Sequence, residues 1–269
     1  MLPRRPGSRV RIPAALAVLL LAAALPARAP GEEVRTIPAR PGVTESFLLL
    51  RPAGQPVASV IMFAGGHGDL ALTAAGAGQL QGNFLVRTRM RWVREGFLVA
   101  ILDRPSDRKG GLWNFRTTPE HAADVRQAVA AVCRIAPAPV WLVGTSMGTL
   151  SAANAAARIT EGGPDGIVLT SSVTETSRMS YETVRHAGLG DIRVATLVVH
   201  HKDDGCRASP FSGAEAILKA LTQAPAKALL AFEGGSPPIS EPCEAKAPHG
   251  FLGIEARVIS AIGAWIRAH

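Results

Sequence analysis

The stretch Gly144–Gly148, Gly-Thr-Ser-Met-Gly, lies between two segments of different character. The run Val140–Val143 before it is short, apolar and β-prone, which predicts a buried strand. The run Thr149–Arg158 after it is rich in alanine and other small residues, which predicts a helix packed close to a sheet. A G-x-S-x-G pattern between a strand and a helix is typical of a nucleophile elbow. This context favours Ser146 as a nucleophile over the alternative of a structural turn.

The two glycines of the pattern have a physical reason to be there. A tight turn strains the serine backbone, and a side chain at Gly144 or Gly148 would collide with neighbouring backbone. The turn also places the Ser146 hydroxyl at the N-terminus of the following helix, where amide groups and the helix dipole favour developing negative charge.

Strand-like and helix-like segments alternate along the chain, which predicts a mainly parallel sheet covered by helices on both faces. The predicted strands are Ser46–Arg51, Ser59–Ala64, Gly96–Leu102, Val140–Val143, Gly166–Thr170, Ala195–His200 and Lys227–Phe232, and the predicted helices are Thr149–Arg158, Pro119–Arg134, Phe211–Leu221 and Ile254–Ile266. No internal repeat or long linker is present, so we expect residues 30–269 to form one domain. The short segment 171–194 between two strands predicts little or no lid.

Residues 1–29 have the pattern of a secretory signal peptide. Arginines at positions 4, 5, 9 and 11 precede the apolar run Ala14–Leu25, and Ala27-Arg28-Ala29 supplies small residues for cleavage. The apolar run is shorter than the roughly 20 residues that span a bilayer, which disfavours a transmembrane anchor. We therefore expect an exported protein, periplasmic or extracellular, with no stable membrane anchor after removal of the leader.

The charge of the chain is concentrated in this leader. Five of the 29 basic residues lie in residues 1–29, which leaves 24 basic against 21 acidic residues and lowers the net charge from +8 to +3. No basic stripe with interleaved aromatic residues remains, so we expect no nucleic-acid partner.

A serine nucleophile needs a general base, and the base needs an acid that orients it. Both follow Ser146 in the chain. The predicted strand ending at His200 is followed by Asp203 and Asp204, and His249 lies in a loop before the last predicted helix. Alternation of side chains along a strand favours Asp204 as the acid, with Asp203 as the alternative.

These features resemble the α/β-hydrolase superfamily over roughly residues 59–267, and within it a group of small exported bacterial serine hydrolases with a loosely defined substrate range. The stretches that carry the resemblance are Phe63–Gly68, Asn83–Arg87, Asp103–Asp107, His200–Cys206, Pro242–Glu244 and His249–Phe251. The resemblance implies an α/β-hydrolase fold and a Ser-Asp-His triad. Because the superfamily commonly ends this strand in His-Gly-x-x-Asp, aligning His200 with that histidine places Asp204 at the acid.

An oxyanion hole needs two backbone N–H groups directed at the developing charge. Met147, directly after the nucleophile, is the first candidate. The second belongs to the loop Gly65-Gly66-His67-Gly68 after a predicted strand, where either Gly66 or His67 is the donor. The alternatives for this glycine-rich loop are a simple turn or a weak phosphate-binding loop, which lacks the Lys and Ser/Thr of a P-loop.

The three cysteines are expected to form one disulfide in an oxidising compartment. Cys206 and Cys243 lie in loop-like sequence, so we predict that they pair, while Cys133, at the end of a helical pattern, is expected to be buried and free. The sequence has no C-x-x-C pair, which disfavours a metal site at the cysteines. The cluster of His200, His201 and the two following aspartates is also an improbable metal site, because adjacent strand residues point to opposite faces.

Several further residues have two interpretations from sequence. Arg104 and Asp107 follow a predicted strand end, and they either contact substrate or form a structural ion pair; Asn83 and Arg87 are equally ambiguous. The segments Gly110–Thr118, with Trp113 and Phe115, and Leu70–Arg91 are candidates for shaping a substrate pocket.

We therefore expect an exported serine hydrolase that cleaves a small-molecule carboxylic ester through an acyl-enzyme intermediate, without a cofactor or metal. The same triad serves peptidases, thioesterases and acyltransferases, which remain alternatives. A non-catalytic binding protein of this fold is the alternative from another functional class.

Overall fold

Buried apolar strands form the centre of an eight-stranded sheet in a computed structural model, which describes residues 31–177 and 180–269. The strands of this sheet are β1 (Glu32–Pro38), β2 (Thr44–Leu50), β3 (Ala58–Phe63), β6 (Phe97–Pro105), β7 (Val140–Thr145), β8 (Gly166–Thr170), β9 (Ala195–His201) and β10 (Lys227–Phe232). A small hairpin consists of β4 (Leu72–Thr73) and β5 (Gly76–Ala77). The helices are α1 (Phe84–Arg94), α2 (Pro119–Ile135), α3 (Gly148–Arg158), α4 (Phe211–Ala220) and α5 (Glu255–Ala268).

The strand order of the sheet is β1-β2-β6-β3-β7-β8-β9-β10. Strand β2 runs antiparallel to β1 and β6, whereas all the other neighbouring pairs are parallel. The prediction of a mainly parallel sheet is therefore confirmed. Because the parallel strands share one direction, the carboxyl ends of β3, β7 and β9 meet at one edge, and the loops that follow them lie side by side.

Helices cover both faces of the sheet. On one face, Val129 of α2, Leu150 of α3 and Ile217 of α4 share a buried apolar core with alternate strand residues such as Leu142. On the other face, α1 and α5 share a second core with the remaining strand residues, in which Trp92 and Trp141 are the largest side chains. This layered arrangement explains why the central strands are apolar at consecutive positions rather than at alternate ones.

Strand β1, the short hairpin strands β4 and β5, and helix α1 are not among the elements predicted from sequence. Strand β1 lies at the edge of the sheet and is half exposed, so its sequence lacks a continuous apolar run. Helix α1 carries four arginines, which mask its apolar side, so the sequence gives no clear helical pattern there. The predicted signal peptide, residues 1–29, lies outside the described residues.

The segment between β8 and β9 is short, as predicted. In its described part the regular structure consists of two short 3-10 turns, Val184–Ala187 and Leu189–Asp191, so no helical lid covers the sheet edge from here. Across residues 31–177 and 180–269, none of the helices has both the length and the apolarity needed to cross a bilayer.

Candidate active site

Ser146 lies in the sharp turn between β7 and α3. Its φ of +53° is in the left-handed region, which costs a non-glycine residue about 1–3 kcal/mol. Two backbone hydrogen bonds hold this conformation, from Ser146 N–H to Thr170 O at 2.9 Å and from Thr149 N–H to Ser146 O at 3.0 Å. A Cβ at Gly148 would lie 2.0 Å from Phe63 O, and one at Gly144 would lie 2.4 Å from Gly148 O. The turn therefore requires both glycines.

Asp204 and His249 reach the same edge of the sheet from different loops. Asp204 follows the end of β9, and His249 lies in the 3-10 turn Pro248–Gly250 that precedes α5. His249 Nδ1 is 2.8 Å from Asp204 Oδ2. Because an ionised carboxylate can only accept, Nδ1 carries the ring hydrogen and Nε2 of the neutral ring has a free lone pair. His249 Nε2 is buried and has no hydrogen-bond partner within the described part of the chain.

Burial distinguishes the two adjacent aspartates. The Asp204 side chain is fully buried, whereas the Asp203 side chain is 74% exposed. The Asp203 backbone N–H instead donates to His201 Nδ1 at 3.0 Å, which tightens the turn after β9. The structure thus brings Asp204, and not Asp203, against His249.

The surroundings of Asp204 favour its ionised form. Burial by itself would raise the pKa of Asp204, but hydrogen bonds from His200, His249 and the Cys206 backbone outweigh it and lower the pKa to about 2. His200 Nε2 lies 3.4 Å from Asp204 Oδ2, and Cys206 N–H donates to Asp204 Oδ1 at 2.9 Å. Asp204 is therefore negative throughout the neutral range, where it can stabilise a positive charge on His249.

The two histidines at the end of β9 have separate partners. His200 Nε2 is 2.9 Å from Ser209 O, and His201 Nε2 is 2.8 Å from Gly234 O. His201 Nδ1 accepts from Asp203 N–H, so its Nε2 donates to Gly234 O. The two rings thus serve different loops, as expected for neighbours on opposite faces of a strand.

A pocket of about 400 Å³ opens beside Ser146 and His249, and both residues line it. Its other walls come from the loop after β3, the start of α1 and the segment 240–246; they consist of Gly65, Gly66, Leu80, Gly82, Asn83, Phe84, Thr145, Ser240, Cys243, Glu244, Ala245, Lys246 and Gly250. A larger depression of about 680 Å³ lies near the other end of α3, around Arg158 and His186. Neither Ser146 nor His249 lines it. The smaller pocket is the candidate site, because it holds the chemically competent side chains.

The loop after β3 approaches Ser146 closely. Gly65 and Gly66 both line the pocket, and a Cβ at Gly65 would lie 2.9 Å from Ser146 Cβ. Of the residues predicted for an oxyanion hole, Gly66 is thus in the pocket wall, whereas Met147 and His67 are not among its lining residues. His67 Nδ1 accepts from Asp69 N–H at 3.0 Å, within its own loop.

Sequence reasoning missed Arg116, whose side chain is buried between the loop after β3 and helix α3. Its guanidinium donates to Ala64 O at 3.0 Å, to Gly66 O at 3.2 Å and to Ser151 Oγ at 2.8 Å. Burial lowers the pKa of Arg116 to about 10, so the group stays charged at neutral pH. Its location in the segment Gly110–Thr118, which we expected to shape the pocket, was the one sequence signal for it.

The structure resolves the ambiguous polar residues in different ways. Asn83 lines the pocket. Arg87 does not, but its Nη2 donates to Gly250 O at 2.6 Å and to Glu255 Oε1 at 2.9 Å, which ties α1 to the turn that carries His249. Arg104 pairs with Asp69 at 2.7 Å and Asp107 pairs with Arg40 at 3.1 Å, so these two form ion pairs away from the pocket lining. Trp113 and Phe115 do not line the pocket either.

A disulfide joins Cys206 and Cys243 across a sequence separation of 37 residues. Cys206 is next to the carboxylate of Asp204, and Cys243 is in the pocket wall. The bond therefore connects the loop after β9 to the segment 240–246. Cys133 is free, but the expectation that it is buried is wrong, since it is exposed. It follows Val132 in α2, and one helical step rotates it off the buried face.

Solved structures of low sequence identity share this fold. The Pyrococcus furiosus esterase Pf2001 is 12% identical and superposes with a TM-score of 0.62 over 88% of this chain and 92% of its own. An alpha-beta serine hydrolase homologue from Coxiella burnetii is 14% identical, with a TM-score of 0.59 over 89% of this chain and all of its own.

A third structure bears on the lid. The Xanthomonas campestris protein XC6422, described as an α/β serine hydrolase without lid, is 16% identical, with a TM-score of 0.56 over 90% of this chain and 97% of its own. No protein-family model matches the chain, and no curated protein matches its sequence. The sheet order, the helices on both faces and these three superpositions agree, so the chain has the α/β-hydrolase fold, with little or no lid.

Proposed function

We propose that the protein is a serine hydrolase that cleaves carboxylic esters through a Ser146-Asp204-His249 triad. The observation that carries the proposal is one pocket lined by both Ser146 and His249, whose Nδ1 is held by Asp204 at 2.8 Å. The strained backbone of Ser146 supports the same conclusion, because strain at a sharp turn is typical of functional residues. Neighbours of the same fold that are described as esterases favour an ester over other acyl substrates.

The reaction begins with attack of Ser146 Oγ on the ester carbonyl carbon. The hydroxyl proton moves to His249 Nε2, and the carbonyl π electrons move onto the oxygen. Asp204 accepts the Nδ1–H bond and stabilises the imidazolium. Collapse of the tetrahedral intermediate breaks the carbon–oxygen bond to the alcohol, which leaves with the proton from Nε2. Water then attacks the acyl-serine with His249 as base, and the acid is released.

The oxyanion is stabilised by backbone N–H groups around the turn. Met147 N–H, at the start of α3, is one donor, and the other comes from Gly66 or His67 in the loop after β3. The position of Gly66 in the pocket wall supports this arrangement. Arg116 holds the carbonyls of Ala64 and Gly66 from behind, which fixes the course of this loop.

The pocket favours a small ester. A volume of about 400 Å³ is at the lower end of the range for ligand sites, and Leu80, Phe84 and Ala245 provide apolar surface for an acyl group. We expect short acyl chains to be preferred. The protein acts after export, because its disulfide suits an oxidising compartment and residues 1–29 have the pattern of a signal peptide.

Hydrolysis of a p-nitrophenyl ester series, from acetyl to palmitoyl, by the protein lacking residues 1–29 tests this proposal. We expect turnover that peaks at short chains and is abolished in Ser146→Ala. Labelling by a fluorophosphonate, lost in Ser146→Ala, should accompany it. Full turnover in Ser146→Ala would overturn the mechanism. Labelling of Ser146 without turnover of any ester would instead support an amide or thioester substrate.

A further inference from the structure

Asn83 immediately precedes α1 and caps its N-terminus. Its Oδ1 accepts a hydrogen bond from Leu85 N–H at 3.1 Å. Since only the oxygen of a carboxamide can accept, this bond determines which end of the side chain is Oδ1 and which is Nδ2. Nδ2 makes no hydrogen bond to any other described residue, so the cap uses one end of the amide and leaves two N–H donors free.

The free end of the Asn83 amide is beside the nucleophile. Asn83 and Ser146 both line the pocket. A Cβ placed on Gly65 would lie 3.5 Å from Asn83 Nδ2 and 2.9 Å from Ser146 Cβ, so both side chains lie within contact range of the same point. The absence of a side chain at Gly65 leaves the space between the amide and the serine open to a bound group.

We propose that Asn83 is a further catalytic residue whose Nδ2 donates a hydrogen bond to the oxyanion formed on Ser146. This inference rests on the proposed function, and it adds a side-chain donor to the backbone donors at Met147 and in the loop after β3. No proton is transferred: the amide donates a hydrogen bond to the negative oxygen and remains neutral throughout the reaction.

The chemistry of the cap suits this role. An oxyanion donor is effective when its orientation is set before the reaction, because no reorganisation is then needed as charge develops. The bond from Leu85 N–H to Oδ1 fixes the plane of the Asn83 amide in this way. Capping alone does not account for asparagine here, since an ionised aspartate caps a helix about as well but has no hydrogen-bond donor.

Two variants separate the catalytic role from the cap. Asn83→Asp and Asn83→Ser both keep an oxygen for Leu85 N–H, but both remove the Nδ2 donor. The serine hydroxyl stands at the position of Asn83 Cγ, one bond short of Nδ2, and the aspartate carboxylate has no donor. We expect kcat on p-nitrophenyl acetate to fall about 10²–10³-fold in both, the loss typical of one oxyanion donor, with KM changed by less than about threefold. Gln81→Glu is the matched control, because it converts an exposed amide two residues away to an acid; its kcat should stay at the wild-type value.

A trifluoromethyl ketone provides an independent readout. Addition of Ser146 Oγ to its carbonyl forms a stable tetrahedral oxyanion, so its inhibition constant should rise in Asn83→Ser by the same factor as kcat/KM falls. The melting temperature of both variants should stay at the wild-type value. Unchanged kcat in Asn83→Asp and Asn83→Ser would overturn the role of Asn83, and so would a loss of kcat without weaker ketone binding.

The wild type run beside the variants identifies which proposal fails. A wild type that hydrolyses the ester or is labelled by a fluorophosphonate at Ser146, while both Asn83 variants react at the same rate as it does, overturns the Asn83 inference alone. A wild type that shows neither reaction overturns the proposed function and the Asn83 inference together.

Discussion

His249 Nδ1 lies 2.8 Å from Asp204 Oδ2, while the carboxylate of the preceding residue, Asp203, is exposed to solvent. Two adjacent acids of the same type thus have opposite surroundings. Asp204 accepts hydrogen bonds in a buried site, and Asp203 contributes a backbone N–H to a turn. Asp203 therefore serves as an internal control for the role of Asp204 in orienting His249.

Asp204→Asn should lower kcat about 10⁴-fold, because an asparagine side chain no longer holds His249 in the tautomer that leaves Nε2 free to accept a proton. Asp203→Asn should change kcat by less than about twofold, since an exposed side chain is outside the site. Steady-state hydrolysis of a p-nitrophenyl ester measures both. Equal losses in the two variants would assign the orienting role to neither residue.

The low pKa of Asp204 also predicts how stability depends on pH. Its folded-state pKa of about 2 is below the reference value of 3.8, so the unfolded chain binds the proton more readily. The ionised group therefore stabilises the fold above about pH 4 by about 2 kcal/mol, and this contribution disappears as the pH falls towards about 2. Urea unfolding across this range should show a shallower loss of stability in Asp204→Asn than in the wild type. A wild-type slope in Asp204→Asn would contradict the assignment, and Asp203→Asn is expected to retain that slope.

The disulfide is expected to stabilise both the fold and the site. In the chain-entropy model, closing a loop of 37 residues contributes about 4 kcal/mol, so the double variant Cys206→Ser with Cys243→Ser should melt at a lower temperature. Its activity should also fall at temperatures where it remains folded, because the loop that orients Asp204 loses its connection to the pocket wall. Cys133→Ser, at an exposed free cysteine, is the control and should match the wild type. Wild-type activity in the folded double variant would restrict the disulfide to a structural role.

Arg116 supports the loop after β3 from within the protein. Arg116→Gln should destabilise the fold by about 2 kcal/mol, because the carbonyl of Ala64 and the hydroxyl of Ser151 lose a buried partner. Denaturation in urea measures this change. We also expect kcat to fall more than KM rises, since the loop that borders Ser146 is no longer held in one position.

Arg116→Lys tests the same point, because it keeps the charge but has fewer donors and should recover only part of the lost stability and rate. Full wild-type behaviour of Arg116→Gln would show that backbone contacts alone hold the loop.

Local sequence patterns predicted the parts of this protein that depend on near neighbours in the chain. The turn at Ser146 is one such part, because the strand before it, the helix after it and the two glycines are all within a few residues. Ser146 and Asp204 each follow a predicted strand, and parallel strands place their following loops at one edge. The candidate His249 came from the order of triad residues in the superfamily that the sequence resembles. The disulfide pair followed from the two cysteines in loop-like sequence.

Only the tertiary structure decided features that depend on packing between distant segments. Asn83 and Arg116 are 63 and 30 positions before Ser146, and their relation to it arises where the loop after β3, α1 and α3 come together. The exposure of Cys133 depends on which face of α2 the sheet covers. A periodic sequence pattern does not locate the edge of that buried face to within one residue. Edge strand β1 and arginine-rich α1 lack a strong apolar signal, because each buries only one side. The periodicity of apolar residues indicates which face of a helix or strand is buried. The contacts that this face makes with a distant segment depend on how the folded chain places the two together.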